Sequence, residues 1–134
     1  MPNALLKQGL AKAVRNFITQ VKNPKLSINL YTEGLDEDLP EYSSAMLYRI
    51  IQECVNNVIK HSEATSLDIS LLRNETEIRA TIEDNGKGFD ISQNNYKEGI
   101  GLQNIRDRIT FLKGEVEIDS KAGKGTLIAI YIPI

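Results

Sequence analysis

The chain has 134 residues, the size of one ordinary domain, and its 41% apolar and 25% charged residues are typical of a folded protein rather than a disordered one. Sixteen basic and eighteen acidic side chains give a net charge of −2, so a nucleic-acid partner, which needs a basic excess, is not expected. One cysteine excludes an internal disulfide, and the longest apolar run, 127–134, is far shorter than the ~20 residues that span a bilayer.

The first predicted elements are a helix, a strand and a second helix. Apolar residues at spacings of three and four predict an amphipathic helix over 3–22, which an Asn-Pro pair ends. Alternating apolar residues over 26–30 predict a half-buried strand. An acidic loop over 33–40 then leads to a second helical stretch over 42–60.

The second half of the chain predicts two hairpins separated by a loop and a third helix. In chain order these are strands at 67–71 and 78–82, a polar loop at 84–99, a helix at 101–112, and strands at 116–118 and 127–132. Short turns between paired strands favour a mixed, largely antiparallel sheet of about five strands. With three helices on one face, this is an α/β two-layer sandwich and not a doubly wound fold.

Two stripes run along the second predicted helix. At about 100° per residue, Glu53, Asn57, Lys60 and His61 share one face. The apolar residues of the opposite face are Ile51, Val55, Val58 and Ile59. A solvated helix face is the ordinary interpretation of such a pattern. The alternative is a metal and phosphate platform, because a carboxylate and an amide oxygen one turn apart suit Mg²⁺ and a lysine can meet a phosphate.

Three glycine-containing segments follow, and each has a plainer interpretation as a turn. Asp84 closes a predicted strand, where a fixed carboxylate can accept the exocyclic amine of adenine, and glycines two and four residues later allow a close approach to a flat ligand. A Gly-x-Gly pair at 99–101 opens the third helix, whose terminal N–H groups can bind an anion. The Gly-Lys-Gly-Thr run at 123–126 joins the last two strands and lacks the frame of a P-loop.

The order of these segments is more specific than any one of them. E-x-x-x-N-x-x-K-H on a helix, D-x-G-x-G after a strand, G-x-G-L opening a helix and G-x-G-T in a hairpin resemble the GHKL ATP-binding (Bergerat) fold over about residues 26 to 134. Within that superfamily the chain resembles the catalytic domain of two-component sensor histidine kinases of the NarL/DesK-like subgroup. The runs that carry this likeness are 48–53, 57–62, 101–108 and 123–126, and the ten residues between Gly88 and Gly99 resemble that subgroup's short ATP lid.

The resemblance implies a role for each matching residue on the second helix and after the third strand. Asn57 matches the Mg²⁺ ligand, and Glu53 the catalytic position that organises metal-bound water or acts as a base. Lys60 and His61 match positions that face the phosphates, and Asp84 matches the aspartate that recognises adenine.

The same resemblance assigns the remaining nucleotide-binding residues. Gly86 and Gly88 match glycines of the adenine segment. Gly99, Gly101 and Leu102 match the segment whose backbone contacts the phosphates as the lid closes. Gly125 and Thr126 match the last conserved box of the family, with the Thr126 hydroxyl near the adenine, and Arg106 is a candidate phosphate contact; ATP and Mg²⁺ are the expected cofactors.

The implied activity is transfer of the γ-phosphoryl group of ATP to a histidine on a separate dimerisation domain, for relay to a response regulator. His61, the only histidine, lies on the ATP-binding helix, so the chain alone is not expected to autophosphorylate. We expect residues 1–25 to continue from a phosphoacceptor region that is missing here and 26–134 to form the catalytic domain. We also expect a monomeric fragment from the cytoplasmic part of a membrane-anchored kinase. A hydrolytic GHKL ATPase, an anti-sigma-type serine kinase and a degenerate nucleotide-binding module are the alternatives.

Overall fold

The computed structural model describes residues 3–21, 23–35, 39–88 and 100–134. The elements in chain order are α1 (Asn3–Gln20), β1 (Ser27–Glu33), α2 (Glu41–Asn57), β2 (Ser66–Arg73), β3 (Glu77–Asp84), α3 (Ile100–Phe111), β4 (Glu115–Ser120) and β5 (Thr126–Pro133). A π-helical turn, Val58–Ser62, extends α2. The predicted order of helices and strands is therefore confirmed. None of the helices in the described part of the chain has both the length and the apolar character needed to cross a membrane.

The five strands form one sheet in the order β1-β2-β3-β5-β4. β1 pairs with β2 in parallel, because the connection through α2 returns the chain in the same direction. The other three pairings are antiparallel. The predicted mixed and largely antiparallel sheet is confirmed.

One hydrophobic core joins the inner face of the sheet to the helices. On β3, Ile78, Ala80 and Ile82 are buried, whereas Arg79 between them and Glu83 after them are exposed, which is the alternation of a half-buried strand. All three helices contribute to this core, through Leu10, Ala13 and Val14 of α1, Leu47, Ile50, Ile51, Cys54 and Val55 of α2, and Ile105 and Ile109 of α3. The two-layer sandwich is therefore confirmed.

The first helix departs from its prediction. α1 ends at Gln20, and its backbone is interrupted at Gly9, whose φ of 84° and ψ of 176° are not helical. The prediction of one continuous helix over 3–22 is therefore wrong at these two points. Apolar periodicity does not reveal a glycine that leaves the helical conformation.

The second helix changes its winding after Asn57. The residues of the turn Val58–Ser62 are wound as a π-helix, which holds more residues per turn than an α-helix. Ile59 is 36% exposed, so the prediction that it belongs to the apolar face is wrong. A helical wheel drawn at a constant 100° per residue fails here because the winding itself changes.

Candidate nucleotide-binding site

Asp84, the last residue of β3, lies on the face of the sheet that the helices cover. It is 7% exposed and stands between Leu67 of β2 and Thr126 of β5, its two partners in the strand register. Its Oδ1 accepts the Gly86 N–H at 2.8 Å, and no described group donates to its Oδ2. One carboxylate oxygen is thus fixed by the protein, and the other remains able to accept a hydrogen bond.

The electrostatics of Asp84 follow from this position. Burial raises the pKa of its carboxyl above the ordinary value, and the Gly86 N–H partly opposes the shift. A buried carboxylate with only one hydrogen bond is costly, so a further donor placed against Oδ2 would stabilise it. An exocyclic amine is a donor of this kind.

The segment after Asp84 packs against the end of the second helix. The Lys87 N–H donates to the Ser62 carbonyl at 2.7 Å, and a Cβ at Gly86 would overlap that carbonyl and stand 2.6 Å from the Ser62 Cβ. Only glycine fits at position 86, between the two segments of the chain. The close backbone approach that Gly86 allows is therefore between two segments of the protein, the one after β3 and the one that ends the second helix.

The hairpin turn before β5 completes the surroundings of Asp84. Gly125, with φ +82°, packs so closely on Asp84 that a Cβ there would overlap the Asp84 carbonyl oxygen. The Thr126 hydroxyl lies 2.8 Å from the Ser120 hydroxyl, on the same face of the sheet as Asp84. The Gly123 N–H donates to the Lys87 carbonyl at 2.6 Å, and a Cβ at Gly88 would stand 2.8 Å from the Gly125 carbonyl oxygen, so the predicted adenine segment and the last predicted box are in direct contact.

The predicted metal and phosphate residues lie at the end of the second helix. Glu53 and Asn57 are half-buried on α2, one turn apart, and Lys60 and His61 are exposed on the π-helical turn. An amide oxygen and a carboxylate are hard donors, and Mg²⁺ takes few protein oxygens when phosphates complete its shell. This donor pair fits Mg²⁺ bound together with phosphates.

The predicted phosphate-contacting segment is only partly within the described residues. Gly99 lies outside them, and so do the residues predicted to form the lid. Gly101, Leu102 and Arg106 lie in the first two turns of α3, with the side chains of Leu102 and Arg106 half-buried. The Phe111 ring at the end of α3 lies 5.8 Å from the Tyr42 ring at the start of α2. This contact joins the end of α3 to the start of α2.

Sequence reasoning missed three residues that contact this site: Ser62, Asn85 and Ser120. Ser62 and Asn85 join the α2 end to the segment after Asp84, and Ser120 bonds to the Gly125 carbonyl at 3.2 Å. Asparagine commonly bonds nearby backbone from a turn, and an asparagine directly after a strand was the available signal. Ser62 and Ser120 offered no comparable signal, because their contacts depend on the tertiary fold.

Two shallow cavities include residues of the opposite face of the sheet, and the first of them also reaches Asp84, Gly125 and Thr126 at the sheet edge. Their volumes are about 340 Å³ and 460 Å³, and they share Asp68, Glu83 and Leu127. These side chains alternate with the inward-facing ones and so point away from the helices. Around the second cavity, which none of the described basic residues lines, the carboxylates of Asp68 and Glu83 would repel a triphosphate.

The order of the helices and strands and the mixed five-stranded sheet define a domain of the GHKL fold. Residues 43–134 match the family described as histidine kinase-, DNA gyrase B- and HSP90-like ATPase. Because the match covers more than half of the chain, the chain belongs to this ATPase family.

The similar proteins are sensor histidine kinases, in agreement with the resemblance of the sequence. The chain is 35% identical over 140 residues to the histidine-protein kinase/phosphatase DegS of Bacillus subtilis, covering 99% of this chain and 36% of DegS. It is 30% identical to the oxygen sensor histidine kinase NreB of Staphylococcus carnosus, covering 99% and 39%. The chain therefore spans well under half the length of these relatives.

A solved structure supports the fold. The blue-light activated histidine kinase of Erythrobacter litoralis EL346 matches with a TM-score of 0.72 and 21% identity, over 93% of this chain and 40% of that one. The GHKL fold predicted from the ordered motifs is confirmed.

Proposed function

We propose that this chain binds Mg–ATP and transfers the γ-phosphoryl group to a histidine on a separate dimerisation domain, for relay to a response regulator. The observation that carries the proposal is the Asp84 carboxylate, buried, anchored through Oδ1 and without a described partner at Oδ2. Membership of the ATPase family supports the same conclusion.

Adenine would be recognised at Asp84. Oδ2 of Asp84 would accept a hydrogen bond from the exocyclic amine of adenine, while Oδ1 of Asp84 stays bonded to the Gly86 N–H. Because Thr126 stands directly opposite Asp84 on the same face, its hydroxyl can add a contact to the base through water. Guanine offers a carbonyl at the position of the amine, so this site would discriminate against it.

The triphosphate would extend from Asp84 toward the end of the second helix. Asn57 would hold Mg²⁺, which neutralises charge on the β- and γ-phosphates, and Glu53 would orient metal-bound water or act as a base. Lys60 and His61 are exposed at this end and would face the phosphates. The N–H groups at the start of α3, with Arg106 near them, would complete the anion site.

The phosphoryl acceptor would be supplied by another domain. His61 belongs to the phosphate-facing residues, and the sequence holds no second histidine. We therefore propose that residues 26–134 act as the catalytic domain and that residues 1–25 connect it to the dimerisation domain. The chain would be a monomeric, cytoplasmic part of a membrane-anchored kinase.

A phosphotransfer experiment in trans tests this function. The chain is incubated with Mg²⁺ and γ-labelled ATP, alone and with a histidine-bearing dimerisation domain as a separate polypeptide. We expect acid-labile label on the added domain, none on the chain alone, and a strong reduction with Asn57→Ala.

Two other outcomes would favour the alternatives. Acid-stable label on a serine-bearing partner would indicate a serine kinase. Appreciable release of phosphate by the chain alone would indicate a hydrolytic ATPase. No binding of Mg–ATP at all would contradict the whole proposal.

A further inference from the structure

Two segments of the chain that flank the candidate site lie next to each other and are joined by hydrogen bonds. One follows α2 and runs from the π-helical turn into β2, and the other is the segment directly after β3. Five hydrogen bonds join them: Lys87 N–H to Ser62 O, Thr65 N–H and Ser66 N–H to Asn85 Oδ1, Asn85 Nδ2–H to Thr65 Oγ1, and Asn85 N–H to Ser66 O. The proposed metal residue Asn57 precedes the first segment, and Asp84 precedes the second.

Asn85 makes four of these five bonds. Its Oδ1 accepts the N–H groups of Thr65 and Ser66 at 2.9 Å each, and its Nδ2 donates to the Thr65 hydroxyl at 2.9 Å. Its own N–H donates to the Ser66 carbonyl at 3.3 Å. Both polar ends of the side chain thus bind the segment that leaves the second helix, although Asn85 itself is exposed.

The π-helical turn supplies the fifth bond. Within it the Ser62 hydroxyl donates to the Val58 carbonyl at 2.8 Å and accepts the Ala64 N–H at 3.1 Å, which fixes the end of the turn. The Ser62 carbonyl then meets the Lys87 N–H at 2.7 Å. π-Helical turns inside α-helices are frequently found at functional sites.

We propose that Asn85 is a positioning residue, which sets the spacing between the adenine-recognising Asp84 and the metal-binding Asn57. The inference rests on the proposed function, because only a ligand that contacts both residues depends on their spacing. Asn85 acts through Asp84, to which it is adjacent in the chain. Small displacements of contacting groups are known to weaken such sites strongly.

The same hairpin offers a matched control at its other end. Asn74, in the turn between β2 and β3, accepts the N–H groups of Thr76 and Glu77 through Oδ1, at 2.8 Å each. Asn74→Ala therefore removes the same kind and number of backbone bonds as Asn85→Ala. A merely structural role for Asn85 predicts that the two variants behave alike.

The experiment measures Mg–ATP affinity by calorimetry and stability by urea unfolding for wild type, Asn85→Ala, Asn85→Asp and Asn74→Ala. We expect both alanine variants to lose similar stability, but only Asn85→Ala to lose affinity, by about tenfold or more. Asn85→Asp keeps an oxygen for both N–H groups, and the Thr65 hydroxyl can rotate to donate to the second oxygen, so it should restore most of the affinity.

The outcomes separate the inference from the function on which it rests. Unchanged affinity in Asn85→Ala, or an equal loss in Asn74→Ala, overturns the positioning role while Mg–ATP binding by wild type stands. Failure of the wild type to bind Mg–ATP overturns the proposed function itself. If Asn85→Ala does not fold, Asn85→Ser and Asn74→Ser, which each keep one hydroxyl acceptor, make the same comparison.

Discussion

Replacing Asp84 by asparagine separates nucleotide recognition from folding. The wild-type carboxylate has two acceptor oxygens, of which Oδ1 takes the Gly86 N–H and Oδ2 has no described donor. Asparagine has the same shape but only one oxygen. If that oxygen keeps the Gly86 N–H, the amide NH₂ faces the adenine amine, and two donors oppose each other.

The magnitude follows from the bond that is lost. A hydrogen bond to a charged group contributes about 1.5–3 kcal/mol. Loss of this bond therefore weakens ATP binding roughly 10- to 150-fold, at about 1.4 kcal/mol per factor of ten. The preference for ATP over GTP should also fall, since the new NH₂ can donate to the guanine carbonyl.

The stability of Asp84→Asn, unlike its affinity for ATP, should not fall. Burial raises the pKa of the Asp84 carboxyl, so the ionised form is disfavoured in the folded protein at neutral pH. The neutral asparagine avoids this cost, and the variant should be at least as stable as wild type in urea unfolding at pH 7. Asp119→Asn, the same change at an exposed position of β4, is the control and should alter neither property.

Calorimetric titration with Mg–ATP and Mg–GTP, together with urea unfolding, measures both effects. Unchanged ATP affinity in Asp84→Asn would refute the assignment of adenine to this carboxylate. Loss of binding with an equal loss of stability would refute the reasoning from burial, because the variant would then simply be misfolded.

Three further predictions concern the metal, a glycine and pH. Asn57→Ala should weaken ATP binding chiefly when Mg²⁺ is present; equal losses with and without the metal in calorimetry would contradict a ligand role. Gly125→Ala should lower the free energy of unfolding by about 1–3 kcal/mol or more, because it adds overlap with the Asp84 carbonyl to the strain of φ +82°. Gly123→Ala, at φ +81° with nothing near its Cβ, should cost less, and equal losses in urea unfolding would count against this packing. Finally, the free energy of unfolding of wild type minus that of Asp84→Asn should fall as pH rises from 3.8 through the raised pKa of Asp84, because the ionised carboxyl is disfavoured in the folded protein. An increase of this difference with pH, measured by urea unfolding at a series of acid pH values, would contradict the direction of the shift.

Local periodicity was enough to predict the strands and the place of Asp84. Ile78, Ala80 and Ile82 alternate with polar neighbours, so the strand and its buried face follow from a period of two. Asp84 continues the same parity, which puts its side chain on the inner face with the apolar residues. The sequence analysis used only the place of Asp84 at the end of the strand, and the burial of its carboxylate is a finding of the structure.

Features that depend on tertiary contacts could not be predicted. Ile59 continues the apolar stripe of an ideal α-helix, and nothing local reveals that the chain winds as a π-helix from Val58 onward. The bond between Lys87 and Ser62 that accompanies this turn joins residues 25 positions apart. Likewise, the contact of Gly125 with Asp84 arises only when β3 and β5 pair.

A structure of the chain with Mg²⁺ and a non-hydrolysable ATP analogue tests the central claim most directly. The account predicts that the adenine amine lies about 3 Å from Asp84 Oδ2, with the metal bonded to the side-chain oxygen of Asn57. An analogue bound instead on the open face of the sheet, beside Asp68 and Glu83, with Asp84 untouched, would contradict it.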